Sequence, residues 1–223
     1  MAEVVCPVCG EVKSSDITLY DIELRKQNFD ISPIHPTCNL CKSTVSINKK
    51  CCGGEIIILN GTCGSGKSTI AIELMKHYGY YAIDGDCVNQ SVKRKIGTQA
   101  PDWRSKVEFN SDETLSEIAA EIDYISLFSS KIVLSMIILP QDIYRYISIF
   151  NERNLDYNFY LLKPVYEEAV VRCQSRTCHK TITPENYIKY YYDKLVFSEG
   201  ITVVDNSSLS IDETIQKILF ERT

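Results

Sequence analysis

One eight-residue segment constrains the fold of this chain more than any other feature, because it requires a strand before it and a helix after it. Residues 61–68 read Gly-Thr-Cys-Gly-Ser-Gly-Lys-Ser and fit the pattern G-x-x-x-x-G-K-[ST]. The apolar run 55–60 leads directly into this segment, which is called the phosphate loop below. Its glycines let the backbone curl so that successive N–H groups point inward, and the following helix N-terminus favours an anion. The pattern predicts a polyphosphate site, the alternative being a glycine-rich turn without a ligand.

The phosphate loop assigns expected roles when a nucleoside triphosphate binds. Lys67 would reach the β- and γ-phosphates, and the Ser68 hydroxyl would take a place on Mg²⁺. ATP and Mg²⁺ are therefore the expected cofactors. The residues expected to contact the nucleotide are Gly61, Thr62, Cys63, Gly64, Ser65, Gly66, Lys67, Ser68 and Thr69.

After residue 54, short apolar segments alternate with amphipathic ones. The expected strands are 55–60, 80–84, 131–138, 157–162 and 201–204, and the expected helices are 67–78, 112–129, 141–152, 164–177, 184–195 and 210–221. The strands are too apolar to face water on one side, which is typical of buried parallel strands. The alternation predicts an α/β fold with helices on both faces of a parallel sheet, and ligands at the carboxyl ends of its strands.

Two aspartates stand at the end of the second expected strand. Asp84 and Asp86 are two positions apart, so they project to the same side if the strand extends that far. One carboxylate could hold the water shell of Mg²⁺, and the other could accept the proton of an attacking hydroxyl. The alternative is an acidic turn, because Asp-Gly is a common turn dipeptide.

These segments together resemble the small P-loop kinases, a group that includes shikimate, gluconate and adenylylsulfate kinases, chloramphenicol phosphotransferase and the polynucleotide 5′-hydroxyl kinases. The resemblance rests on the phosphate loop, on 84–86, and on 161–164 through Arg172 and Arg176, and it spans about 55–221. It implies a three-layer P-loop kinase fold with a five-stranded parallel sheet of order 2-3-1-4-5. It also implies a mobile lid between the fourth and fifth strands.

The resemblance also implies roles for single residues. Asp86 matches the base that orients or deprotonates the acceptor hydroxyl, and Asp84 matches the acid that supports Mg²⁺ through water. Arg172 and Arg176 match two lid arginines, one near the adenine and one over the transferring phosphoryl group. The lid is expected at about 174–186.

The spacing of the two arginines supports the lid independently. Four positions apart on a helix, Arg172 and Arg176 would project from one face, ahead of the polar stretch 177–181. A cation that closes on the γ-phosphate stabilises charge during transfer. The alternative is an ordinary solvated helix face.

Two departures from the family weaken its narrower assignments. Ser135 lies in the third expected strand, which has no aspartate, so a Mg²⁺ ligand from that strand is missing. Asn89 stands where adenylylsulfate and polynucleotide kinases usually have an arginine, with Lys93 and Arg94 the nearest bases.

The acceptor site has weaker candidates. Residues 97–110 are expected to contribute, and Trp103 beside Arg104 could stack and pair with a planar anionic acceptor, unless that tryptophan packs the sheet edge. Arg145 is another candidate contact. Residues 203–208 resemble the turn that holds the adenine in this family, although a loop that caps the last helix explains them as well.

The first 52 residues are rich in cysteine. Cys6 and Cys9 form one C-x-x-C pair and Cys38 and Cys41 another, which predicts a closed tetrahedral Zn²⁺ site. Zinc would supply folding energy that this stretch otherwise lacks. His35 could replace one thiolate; an iron–sulfur cluster and free buried thiols are the alternatives, and Cys51 or Cys52 could also be a ligand. The expected organisation is a zinc-binding module over 1–53 and a kinase domain over 54–223.

Charge and hydropathy argue against two kinds of partner, a broad nucleic-acid surface and a membrane. A net charge of −5 argues against a broad nucleic-acid surface, and no apolar run is long enough to span a bilayer. The N-terminus lacks the layout of a signal peptide, so a cytoplasmic protein without a membrane partner is expected.

The sequence therefore favours an ATP- and Mg²⁺-dependent phosphotransferase with a small-molecule hydroxyl as acceptor. A polynucleotide 5′-hydroxyl kinase is one alternative. A nucleotide-dependent, zinc-containing regulatory or adaptor protein is another. The acceptor's identity, the choice of ATP or GTP, the role of the zinc module and the oligomeric state stay open.

Overall fold

The computed structural model describes residues 3–5, 12–14, 28, 53–95, 110–126, 129–175, 183–197 and 199–221. Within these ranges, five strands form one parallel sheet. They are β3 (Glu55–Asn60), β4 (Tyr81–Asp84), β5 (Lys131–Ser135), β6 (Asp156–Leu162) and β7 (Thr202–Val204). Their order is β4-β5-β3-β6-β7, which confirms the order 2-3-1-4-5 that the resemblance implied. A separate antiparallel pair joins β1 (Glu3–Val5) to β2 (Val12–Ser14).

Helices follow each strand of the parallel sheet, with two helices after β4 and two after β6. They are α1 (Lys67–His77), α2 (Gly85–Lys95), α3 (Asp112–Ile125), α4 (Ile143–Asn151), α5 (Tyr166–Gln174), α6 (Glu185–Lys194) and α7 (Ile211–Phe220), with a 3₁₀ turn at Pro140–Asp142. Six of these seven helices were expected, with ends that differ by a few residues. Helix α2 was not expected from the sequence.

The sheet is buried on both faces because the residues of its central strand alternate. Ile56 and Ile58 of β3 pack into a cluster with α2, α3 and α4. Ile57 and Leu59 pack on the opposite face, in a cluster with α1 and α7. The period of two in a fully apolar strand thus produces the three expected layers.

Strand β5 ends three residues earlier than expected, and a side chain explains the difference. Asn60 Oδ1 accepts a hydrogen bond from the N–H of Ile138 at 3.0 Å, and Asn60 Nδ2 donates to the Ile138 carbonyl at 2.7 Å. An amide side chain therefore replaces the strand ladder at this point, and the chain after Ser135 leaves regular pairing while it stays attached to β3.

Side-chain caps define where two helices begin. The Ser111 hydroxyl accepts from the Thr114 N–H at the start of α3. Ser210 and Glu213 form a reciprocal capping box at the start of α7. No helix within the described ranges is long and apolar enough to cross a membrane.

Candidate active site

The phosphate loop lies at the carboxyl end of the central strand, as its sequence predicts. Asn60 is the last residue of β3, and its Oδ1 also accepts from the Gly61 N–H at 2.8 Å. The same side chain therefore holds the start of the loop and the segment after β5. Helix α1 begins at Lys67 after Gly66, whose φ is +95°.

Two glycines of the loop are required by close contacts. A Cβ on Gly64 would lie 2.0 Å from the Ala169 carbonyl oxygen, and one on Gly61 would lie 2.5 Å from that of Leu162. Gly64 also has a φ of +84°, which L side chains rarely adopt. The loop is thus pressed against α5 and the end of β6, and its curvature leaves no room for side chains at these positions.

Lys67 reaches back into the loop. Its Nζ donates to the carbonyl oxygens of Gly61 at 2.7 Å and of Thr62 at 2.9 Å, and the residue is 8% exposed. The next two residues, half-buried Ser68 and exposed Thr69, lie in the first turn of α1. The ammonium group therefore sits where the curled loop would enclose a phosphate.

The two acidic residues are arranged differently from the expectation. Strand β4 ends at Asp84 and α2 begins at Gly85, so Asp86 lies in the first helical turn and not on an extended strand. The condition under which strand alternation would align them, a strand that extends to Asp86, is therefore not met. Asp84 Oδ1 instead accepts from the N–H groups of Asp86 at 2.9 Å and Cys87 at 3.1 Å, and so caps the helix.

The glycine between the two acids serves packing. A Cβ on Gly85 would lie 2.5 Å from the Met136 sulfur. The junction between β4 and α2 packs closely against Met136, and glycine at this position avoids the clash that a Cβ would cause. Asp followed by Gly and a second Asp is also a helix-start signal, with an acidic first turn, and this signal could have revealed α2.

The two carboxylates have different surroundings. Burial raises the pKa of Asp84, and the neighbouring charge of Asp86 raises it further, against the capping N–H groups and the charge of Lys67. Asp86 Oδ1 is buried and has no hydrogen-bond partner among the described residues. Asp84 is thus committed to the helix start, whereas Asp86 presents an unsatisfied carboxylate oxygen at the same edge of the sheet.

Helix α6 covers the phosphate loop, which sequence reasoning did not predict. The Thr62 hydroxyl donates to the Ile188 carbonyl at 3.1 Å. Cys63 packs against a cluster that contains Tyr187 and Tyr191. These tyrosines are four positions apart and share one helical face, so the i, i+4 spacing in the sequence was the available signal.

Arg172 lies beside the turn after β7. Its Nη2 donates to the carbonyls of Asn206 and Ser207 at 3.0 Å each, and its Nε donates to Glu168 at 2.7 Å. Asn206 Nδ2 in turn donates to the Ser65 carbonyl at 3.0 Å. The turn at 203–208 is therefore joined to both α5 and the phosphate loop. Ser210, just beyond it, caps α7, and the expectation that residues 203–208 hold the adenine stays a prediction.

Arg145 is engaged in a local network. It pairs with Asp142 at 3.1 Å and with Asp112, and it donates to the Asn110 carbonyl. The two carboxylates, through their hydrogen bonds, raise the pKa of Arg145 against the effect of its desolvation. This network joins α3 to the start of α4. Because its guanidinium already pairs with two carboxylates, Arg145 is a poor candidate for a contact with an anionic acceptor.

The two positions that depart from the family pattern are both structural. Asn89 Oδ1 accepts from the Thr114 hydroxyl at 3.1 Å and joins α2 to α3. Ser135 is buried at the end of β5, in register with Leu59 and Asp84. Neither residue supplies a charge to the site.

Several expected site residues lie outside the described residues. Helix α5 ends at Gln174, so the shared helical face of Arg172 and Arg176 is not described. The same holds for residues 177–181, Trp103, Arg104, His35, and for the cysteines Cys6, Cys9, Cys38, Cys41, Cys51 and Cys52. No group of three His, Cys, Asp or Glu side chains in the described part of the chain could hold a metal ion. The zinc module therefore stays a prediction.

Comparisons with known proteins agree with the architecture. No protein-family model and no curated protein matches the sequence. An unliganded sugar kinase from Janibacter sp. HTCC2649 has a TM-score of 0.54 at 18% identity, over 74% of this chain and 92% of the other. The tunicamycin resistance protein of Deinococcus radiodurans has a TM-score of 0.57 at 14% identity, over 75% and 95%. At these identities the similarity shows a shared fold, that of the P-loop kinases.

Proposed function

We propose that this chain is an ATP- and Mg²⁺-dependent phosphotransferase that moves the γ-phosphoryl group to a hydroxyl of a small molecule. One arrangement carries the proposal. Lys67 Nζ lies within the phosphate loop, and Asp86 presents at the same edge of the sheet a buried oxygen with no hydrogen-bond partner in the described part of the chain. A cation for the phosphates beside a base for an alcohol is what phosphoryl transfer needs. The sugar kinase that shares this fold supports the reaction class.

The phosphate loop fits a nucleotide on its own features. Glycine stands at the positions of the loop where a side chain would be too close to neighbouring backbone. Ser65 Oγ is buried without a partner among the described residues. Lys67 is held by two loop carbonyls and can exchange them for phosphate oxygens. Such a preorganised cation stabilises charge without paying for reorganisation at the moment of reaction.

Two residues would hold Mg²⁺. The Ser68 hydroxyl lies in the first turn of α1, and Asp84 would act through water, as an oxygen donor set suits this hard cation. When bound, Mg²⁺ would neutralise charge on the β- and γ-phosphates. Because Asp84 Oδ1 already accepts two N–H groups, its orientation is set before any ion binds.

Asp86 would act on the acceptor. The acceptor oxygen forms the new bond to the γ-phosphorus, the bond between that phosphorus and the β,γ-bridging oxygen breaks, and ADP leaves with its electron pair. The proton of the acceptor hydroxyl passes to Asp86. Asp86 Oδ1 accepts no hydrogen bond from the residues that the structure describes, so it is available to take this proton.

The two arginines would have different roles. Arg172 donates to the carbonyls of Asn206 and Ser207, so it would shape the turn expected at the adenine rather than contact a phosphate. Arg176 is proposed to close over the transferring phosphoryl group.

Three measurements test the proposal: affinity for a fluorescent ATP analogue, transfer from [γ-³²P]ATP to a deproteinised metabolite extract, and transfer to an oligonucleotide with a 5′-hydroxyl. Lys67→Ala should lower the affinity for the ATP analogue by roughly 10- to 100-fold, which corresponds to the free energy of charged hydrogen bonds. Asp86→Asn should keep nucleotide affinity and lower transfer by about 10²- to 10⁴-fold.

Asp156→Asn is the matched control for Asp86→Asn. Asp156 is exposed at the amino end of β6, at the edge of the sheet opposite the phosphate loop. It should behave as wild type. Transfer that survives Asp86→Asn would refute the assignment of the base. Labelling of the oligonucleotide alone would favour the polynucleotide kinase, and nucleotide binding with no transfer would favour a regulatory protein.

The zinc module is proposed separately, on the two C-x-x-C pairs of the sequence. Elemental analysis of the purified chain should find about one zinc per molecule, lost when Cys6 and Cys9 are both replaced by Ser. Zinc that survives this double substitution would exclude the four-cysteine site.

A further inference from the structure

Asp86 lies on α2 between two points at which buried contacts hold that helix. The first is Gly85, the residue before it, where a Cβ would lie 2.5 Å from the Met136 sulfur. The second is Asn89, one turn later, whose Oδ1 accepts from the Thr114 hydroxyl at 3.1 Å. Asn89 is 2% exposed, and Met136 and Thr114 are fully buried. The first turn of α2 is therefore held both before and after Asp86.

The Thr114 hydroxyl is held in one orientation. Its proton is used by Asn89 Oδ1, which can only accept. The Ser111 hydroxyl, 3.2 Å from Thr114 Oγ1, therefore donates to Thr114. The Ser111 hydroxyl also accepts from the Thr114 N–H at the start of α3. The hydrogen bond that reaches α2 thus comes from the capped first turn of α3.

A tyrosine connects the other contact of α2 to the same helix start. The Tyr146 hydroxyl lies 3.1 Å from the Met136 sulfur and donates to Asn110 Oδ1 at 2.7 Å. Asn110 directly precedes Ser111, the N-cap of α3. Tyr146 is fully buried and Asn110 is 4% exposed, so this bond forms away from solvent. Both contacts of α2 therefore converge on the start of α3.

The hydroxyls of this buried network are used within it and not by Asp86. The Thr114 hydroxyl donates to Asn89. The Tyr146 hydroxyl donates to Asn110. Asp86 Oδ1 is buried with no hydrogen-bond partner among the described residues. The network thus holds the helix and leaves this carboxylate oxygen as an acceptor for a substrate proton.

We propose that Thr114 and Tyr146 are positioning residues for Asp86. Through their contacts with α2 and with the segment packed against Gly85, they set where the carboxylate meets the acceptor hydroxyl. This inference rests on the proposed function, in which Asp86 takes the proton of that hydroxyl. A misplacement of about 1 Å at an active site can cost on the order of 10²-fold in rate. Loss of either buried hydroxyl would let the first turn of α2 shift while the phosphate loop, between β3 and α1, keeps its shape.

The first test replaces Thr114 by Val, which keeps the shape and removes the hydroxyl, and by Ser, which keeps the hydroxyl. Thr214→Val is the matched control. Thr214 is 1% exposed, and its hydroxyl donates to the Ser210 carbonyl at 2.9 Å in α7, on the opposite face of the sheet. Each variant is assayed, well below its melting temperature, for transfer from [γ-³²P]ATP to a deproteinised metabolite extract. The affinity for the fluorescent ATP analogue is measured in parallel.

Thr114→Val should lower the maximal rate of transfer by roughly 10- to 100-fold and leave the affinity for the analogue unchanged. Thr114→Ser should restore most of the rate, and Thr214→Val should transfer as wild type does. The inference is overturned if Thr114→Val transfers as well as Thr114→Ser, or no worse than Thr214→Val. An equal loss of nucleotide affinity would overturn it too, because a purely structural role predicts that result.

Tyr146→Phe tests the other contact and does not depend on how Thr114→Val folds. It removes one hydroxyl and keeps the ring. Tyr160→Phe is its control, because Tyr160 is 2% exposed and its hydroxyl donates to the Ile218 carbonyl at 2.7 Å on the opposite face of the sheet. Tyr146→Phe should lower the maximal rate of transfer roughly tenfold, and Tyr160→Phe should not. Equal rates in these two variants would contradict the role of Tyr146.

Combined substitutions test whether the effect passes through Asp86. In an Asp86→Asn chain the positioned base is absent, so adding Thr114→Val should change the residual transfer by less than about twofold. A further fall of about tenfold would show that Thr114 acts by another route. A wild-type chain that labels no compound refutes the proposed function itself, and the inference with it. Transfer that is lost in Asp86→Asn but kept in Thr114→Val refutes this inference alone.

Discussion

Asn206 donates from Nδ2 to the carbonyl oxygen of Ser65 at 3.0 Å, across 141 positions of the chain. This bond joins the turn after the edge strand β7 to the phosphate loop. Arg172 holds the same turn from α5 through the carbonyls of Asn206 and Ser207. The loop is therefore supported from outside its own segment.

Replacing Asn206 by Ala should lower the affinity for the fluorescent ATP analogue and lower the melting temperature of the chain. The variant leaves the Ser65 carbonyl unpaired in a buried place, which costs about 1–3 kcal/mol. For a chain of this size each kcal/mol shifts the melting temperature by roughly 2–4 °C. Asn151→Ala, at an exposed position at the end of α4, is the control. An Asn206→Ala chain that binds the analogue as wild type does would show that the loop keeps its shape without this support.

Gly64→Ala should abolish nucleotide binding, whereas Gly79→Ala should not. Both glycines have positive φ, +84° and +76°, so each substitution carries a backbone strain of about 1–2 kcal/mol. A Cβ at Gly64 would also lie 2.0 Å from the Ala169 carbonyl oxygen, whereas a Cβ at Gly79 would meet no described residue within 4 Å other than its chain neighbours. Thermal unfolding and titration with the ATP analogue are measured for both variants. Backbone strain affects both, whereas the steric clash affects only Gly64→Ala. Equal losses in both variants would mean that the contact with α5 does not shape the loop.

The buried ion pair between Asp123 and Arg153 should matter for stability and not for nucleotide binding. Two hydrogen bonds of 2.8 Å join the side chains, each of which is 9% exposed. Asp123→Ala would remove the buried partner of the guanidinium, leaving it the more exposed Glu152 at 3.8 Å, and should cost about 3–5 kcal/mol of unfolding free energy.

Two further variants make the result specific. The double variant Asp123→Leu with Arg153→Met should be less destabilised than Asp123→Ala, because no lone charge stays buried. Asp193→Ala breaks the exposed pair with Lys189 and should cost at most about 1 kcal/mol. A double variant no more stable than Asp123→Ala would contradict this account of the pair.

Asp205 should make the chain more stable above mildly acidic pH. The Ser207 hydroxyl, and then the Ser207 N–H at 2.9 Å, hold the pKa of Asp205 below its ordinary value of 3.8. A lowered pKa in the folded state adds stability above the unfolded pKa, and this stability is lost as pH falls through the folded pKa. The free energy by which wild type exceeds Asp205→Asn should therefore be constant above about pH 5 and shrink below about pH 4.

Urea unfolding across this pH range measures the effect. Ser207→Ala keeps the carboxyl group and removes the hydroxyl donor, so the pH-dependent part of the stability should shrink in that variant too. A difference between wild type and Asp205→Asn that stays constant down to pH 3 would contradict the prediction.

Much of the layered architecture could be read from local patterns. The strand before Gly61, the helix at Lys67 and the alternation after it depend on periodicity over fewer than about 20 residues. Helix α2 was not predicted because the sequence analysis takes residues 84–86 as the end of a strand, with an acidic turn as the alternative. The contact between Gly85 and Met136, residues distant in sequence, decides that junction.

The amino-acid sequence alone determined the phosphate loop, the lysine inside it and the parallel order that the family resemblance implied. The tertiary structure decided what surrounds the loop. Asp86 lies on a helix with an oxygen that has no partner among the described residues, Cys63 packs against the same cluster as Tyr187, and Arg145 pairs with two carboxylates. The physical reason is that the loop's shape depends on neighbouring residues, whereas these side chains converge from distant segments. Packing across the sheet brings these side chains together, and the local periodicity of the sequence does not predict such contacts.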